Sequence, residues 1–63
     1  MRELDMLLEG YLNRQFDQAP AAQQAAFLQL LEQEDPDIWS WLLGHSQPPA
    51  ALADVVLRLQ QQP

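Results

Sequence analysis

A chain of 63 residues with no cysteine and one histidine, His45, has to hold itself together by apolar packing. Disulfides and thiolate metal sites are the usual supplements to a core this small, which by itself yields only about 3–5 kcal/mol. Helix packing must therefore suffice, with a partner as the remaining source of support. The same arithmetic argues against an enzyme cleft, because so short a chain has little interior left once its surface is covered. Residues 1–63 are expected to form one helical domain. The lack of cysteine fits a reducing compartment. No run of about 18 apolar residues offers a membrane span, and Met1-Arg2-Glu3-Leu4-Asp5 lacks the basic-then-apolar layout of a signal peptide. The expected location is the cytoplasm, with no direct membrane insertion.

Three arginines and no lysine face nine acidic residues, for a net charge of −6. Such a surface repels phosphate backbones and anionic lipid heads, so nucleic acid is a poor partner and a basic protein surface a better one.

Along the chain, Leu4, Leu7, Leu8, Tyr11, Leu12 and Phe16 repeat at three- and four-residue intervals between Glu3 and Asp17, the spacing of an amphipathic helix. Glu3, Asp5 and Glu9 crowd its first half and Arg14 its second, opposing the helix macrodipole. Gly10 costs up to about 1 kcal/mol in such a helix relative to alanine, which would be offset by a close neighbour at that position. Pro20 is placed to open a second helix as its first residue, since its missing N–H would be unpaired there. That helix is expected to run to about Gln33, turning Ala26, Phe27, Leu30 and Leu31 inward and leaving Leu28 outside. In Glu34-Asp35-Pro36-Asp37, Asp35 is placed to cap a third helix, Pro36 to sit in its first turn, and Asp37 to add charge favoured by the dipole. This helix carries Ile38, Trp39, Trp41, Leu42 and Leu43 and should stop at Gly44. His45 to Pro49 reads as a loop, and Pro49 begins a last helix that buries Leu52, Val55, Val56 and Leu59. The tail Gln60-Gln61-Gln62-Pro63 should fray. Four short helices with short connections and no period-2 alternation predict an all-α bundle.

Chemistry is harder to find. Glu34 and Asp37 form an acidic pair, but acid–base catalysis needs a cleft that shifts their pKa values. Glu32, Glu34, Asp35 and Asp37 lack the glycine and the spacing of a calcium loop. His45 has no second histidine or cysteine to complete a zinc site, and it stands where it can cap carbonyls or face water. Ser40, Ser46 and Tyr11 are the hydroxyls, with nothing to assemble a triad, and no glycine-rich phosphate loop is present. Trp39 and Trp41 stand two apart and point in different directions. One is expected in the core and the other partly exposed, where a tryptophan among acidic residues is a candidate docking anchor. Packing beneath a loop accounts for it equally well. From the residues alone the chain reads as a non-catalytic helical binding module.

The order of its motifs adds to this. Met1-Arg2-Glu3-Leu4-Asp5, then Leu30-Leu31-Glu32, then Glu34-Asp35-Pro36-Asp37-Ile38 with Trp41-Leu42, resembles the succinate dehydrogenase assembly factor family, whose pattern reads close to RGMxELD and LLExxDPDLFxWL. The resemblance covers most of the chain. It implies a small helical bundle, usually of five helices, that binds the flavoprotein subunit of succinate dehydrogenase or fumarate reductase and promotes covalent attachment of FAD to its histidine. By that resemblance the chain is an assembly chaperone that binds no cofactor of its own, FAD belonging to the client.

The family's functional motif RGxxE puts its glutamate on Glu3, with Met1 and Arg2 in the variable positions. Its arginine and glycine would stand before Met1, together with an N-terminal helix, so the chain reads as starting late. The resulting exposed patch predicts a monomer or a weak homodimer. The resemblance places partner binding on Glu3, Arg2 and Asp5, with Glu34, Asp35 and Asp37 as a second candidate. An alternative reading is an antitoxin-like protein that neutralises a toxin partner, since some bacterial members carry that label.

Overall fold

In the computed structural model the described residues are 2–62. Met1, assigned to a variable motif position, and Pro63, assigned to the fraying tail, lie outside them. The described residues form four α-helices and one 3-10 turn, with no strand among them: α1 Arg2–Arg14, the turn Phe16–Gln18, α2 Ala21–Leu30, α3 Asp35–Leu42 and α4 Ala50–Gln60. The all-α expectation holds.

In α1, Leu4 and Tyr11 are fully buried and Leu8 packs against them. Leu12, expected inward, is exposed. At about 100° per residue it lies well to one side of the line through Leu4, Leu8 and Tyr11, and the core of a bundle this thin is too narrow to reach it. Glu3 and Asp5 in the first turn and Arg14 in the last complement the helix dipole as expected. After Arg14 the chain tightens into the 3-10 turn, which brings Phe16 over Phe27 with ring centroids 5.7 Å apart. Tyr11 stacks on the same ring at 4.6 Å. Gln24 closes the corner by donating its Nε2 hydrogen to the Phe16 carbonyl at 2.6 Å.

Pro20 and Pro49 do not open their helices from within but stand one residue before them, with ψ of 154° and 149°. Proline fixes φ only; their ψ angles keep both residues extended, and the carbonyl of each accepts the first bond, from Gln24 and from Leu52. α2 ends at Leu30, short of Gln33, because the next bonds, Glu32 to Gln29 and Gln33 to Leu30, span three residues and tighten the chain into a turn. That turn swings Leu31 outward, contrary to expectation, whereas Leu28 is exposed as expected. Glu34, not Asp35, is the residue before α3, and its side chain makes no capping bond; Asp35 and Asp37 lie within the first turn, with Pro36 between them.

At the far end of α3, Gly44 adopts φ of 79°. The N–H of Gly44 then bonds the Trp41 carbonyl and that of His45 the Ser40 carbonyl, the paired bonds of a Schellman stop. α4 buries Leu52, Val55, Val56 and Leu59 as its spacing predicts, and it touches each of the other three helices. The tail does not fray at Gln60 or Gln62. Gln60 donates to the Leu42 carbonyl, which the end of α3 leaves without a backbone donor, and also to the Trp41 carbonyl already bonded by Gly44, and Gln62 donates to the Leu7 carbonyl at 2.9 Å.

Candidate functional site

The line Leu4, Leu8 and Tyr11 leaves a second line on the neighbouring face of α1. Glu3, Met6, Leu7, Gly10 and Arg14 keep the same three- and four-residue spacing, and together they form one wall of an open groove of about 410 Å³. Trp39 of α3 and Gln62 beyond α4 close it from the other side. The floor is apolar, and Met6 is 64% exposed there.

Gly10 has a physical reason in this wall. Gln62 Oε1 lies 3.0 Å from where a Cβ on Gly10 would stand, so the glycine makes room for the amide that ties the chain's last described residue to α1. The same Oε1 is buried without a hydrogen-bond partner, which leaves the amide half satisfied and weakly held.

Of the sequence-predicted residues, Glu3 lines this groove, while Arg2 and Asp5 are exposed on the same helix without lining it. Glu34, Asp35 and Asp37 are exposed at the start of α3 and line it neither. The structure therefore does not gather the two acidic groups into one pocket. Both tryptophans pack against the core and both are partly buried, so the expected partly exposed ring is present and the expected core ring is not fully buried. Trp39 joins Glu3 in the groove; Trp41 lines a different one, of about 540 Å³, with His45, Pro48 and Leu57 under the loop between α3 and α4. That second groove is larger but contains none of the predicted charged residues.

Sequence reasoning missed Met6, Arg14 and Gln62 as groove residues. The 3-6-7-10-14 spacing was available as a signal for the first two. For Gln62 no local signal exists, since its place depends on how α4 returns to α1.

No helix among the described residues is long and apolar enough to cross a membrane, and no group of three or more His, Cys, Asp or Glu among them could hold a metal ion. Burial raises the Tyr11 phenol above its ordinary value, with Arg58 opposing and Asp54 adding to the effect. Gln23 links this corner by donating to Asp54 at 2.9 Å, and Arg58 approaches the same carboxylate at 3.9 Å. These groups sit apart from the groove and read as structural.

The sequence pattern of the family described as "Flavinator of succinate dehydrogenase" matches residues 1–63. Over 56 residues the chain is 38% identical to the FAD assembly factor SdhE of Legionella pneumophila strain Paris, covering 89% of this chain and 71% of that protein. It is 36% identical, with the same coverage, to the protein of that name from strain Lens. No solved structure matches it. The ordered motifs, the helical bundle and a match along its whole length agree, and the chain belongs to the family of succinate dehydrogenase flavinators.

Proposed function

We propose that this protein is an assembly factor that binds the flavoprotein subunit of succinate dehydrogenase, or of the related fumarate reductase, and promotes covalent attachment of FAD to it. The observation that carries the reading is the family match over the whole chain, supported by relatives named as FAD assembly factors. The antitoxin reading has no comparable observation in its favour. The factor works in the cytoplasm and contributes binding, while bond formation belongs to the flavin and the client. It acts by preferring one conformation of the client, which raises that state's population by the ratio of the two affinities; a tenfold preference corresponds to about 1.4 kcal/mol. Docking centres on Glu3 with Arg2 and Asp5 beside it, and Glu34, Asp35 and Asp37 form a second contact.

The test is a reconstitution of the flavoprotein subunit with FAD, with and without this chain, reading covalent flavin by in-gel fluorescence. Stimulation by the wild-type chain is expected, and Glu3→Ala should lower it while leaving far-UV helicity unchanged, because Glu3 is exposed. Equal flavinylation with and without the chain would sink the reading.

A further inference from the structure

Glu3 and Arg14 are three full helical turns apart on one line of α1, so opposite charges stand at the two ends of the groove about 16 Å from each other. Neither has an ion-pair partner among the described residues. Between them lie the exposed thioether of Met6, the side chain of Leu7 and the partly buried indole of Trp39. An apolar strip ended by one unpaired anion and one unpaired cation has a definite complement.

Resting on the assembly-factor reading, we propose that this groove docks a single segment of the client flavoprotein with a large apolar side chain at its centre, a cation at the Glu3 end and an anion at the Arg14 end. The separation of the charges sets the segment's length, about eleven residues if it is helical and about five if it is extended. The apolar centre supplies most of the affinity, since Met6 and Trp39 lose water when covered. The two charge pairs supply register and polarity, because a reversed segment would set like charges together at both ends. A second copy of this chain is a worse occupant: each copy carries a net charge of −6, and bringing two together opposes association.

The experiment measures binding of the purified flavoprotein subunit to the wild-type chain and to Met6→Glu, Arg14→Glu, Arg14→Lys and Leu28→Glu. It also identifies the peptide captured by a photo-crosslinking residue at position 6. Met6 and Leu28 are both exposed, so their variants should keep the fold, which far-UV circular dichroism checks. Met6→Glu and Arg14→Glu are expected to weaken binding roughly tenfold or more, and Arg14→Lys and Leu28→Glu to stay within about twofold of wild type. The captured client peptide should carry a basic and an acidic residue on either side of an apolar one. Wild-type affinity in Met6→Glu and Arg14→Glu, a captured peptide without that charge order, or capture of a second copy of this chain would overturn the groove assignment alone. Failure of the wild-type chain to bind the subunit would overturn the assembly-factor reading beneath it.

Discussion

Gly10 sets helix propensity against packing, and magnitudes decide the outcome of replacing it. Alanine gains up to about 1 kcal/mol in a helix interior, and the atom its Cβ would meet is the tip of the flexible Gln62 side chain. Displacing that tip loses one hydrogen bond, about 0.5–1.5 kcal/mol, but frees a buried oxygen that has no partner. Gly10→Ala should therefore be neutral to stabilising by up to about 1 kcal/mol, seen as a raised urea midpoint at unchanged slope; a lowered midpoint would show that the Gln62 contact outweighs propensity. Tyr11 gives a pH prediction. Its phenol is raised by burial, so below about pH 10 folded and unfolded chains both hold the proton and the contribution is whole. Above that, the unfolded chain loses its proton first, and stability falls as pH rises through the folded value. Tyr11 is the chain's one tyrosine, so urea midpoints taken below and above pH 10 should decline in the wild type and decline less in Tyr11→Phe. At this scale the 3-6-7-10-14 spacing separates Glu3, which lines the groove, from Asp5, which does not, while a docking role for Glu3 rests on its motif alone, and the place of Gln62 was not legible at all.

For the elements, the helix starts were read to within a residue and the stops unevenly, α2 three residues too long and α3 correctly. Gly44 ends α3 as expected because only a left-handed residue lets the two closing bonds form. Gly44→Ala should destabilise by roughly 1–2 kcal/mol, measurable by urea unfolding, with no effect on groove binding. Proline, by contrast, marks a helix start only to within a residue, since it restrains φ and leaves ψ to the surrounding chain. The α4 stripe was fully legible because Leu52, Val55, Val56 and Leu59 match the core's width. The α1 stripe was over-read: Leu12 satisfies helical periodicity yet faces water, because periodicity reports a face and not how much of it the neighbours cover. In α2 the stripe named Phe27 and Leu30 correctly and erred at Leu31, since packing with α4, Tyr11 and Phe16 covers the first two and the turn after Leu30 leaves the third outside.

Taken as a whole, the molecule is organised about α4, which supplies four of the nine buried apolar side chains among the described residues and meets α1, α2 and α3. A chain ending at Gln47 loses the surface on which the other helices bury theirs, and isolated helices of this length are marginal in water. Its far-UV spectrum should be that of a largely unfolded chain, whereas Phe27→Ala, which removes one buried ring at a cost of about 3–5 kcal/mol, should shift the folding equilibrium without abolishing residual helix. The position of α4 also has a consequence for biosynthesis. While it is still inside the ribosome, the helices made before it have only the Tyr11, Phe16 and Phe27 contact between α1 and α2 and lack the surface on which all three pack. The nascent chain must emerge through α4 before it can become compact, so folding waits on translation of the segment that the rest of the protein is built around.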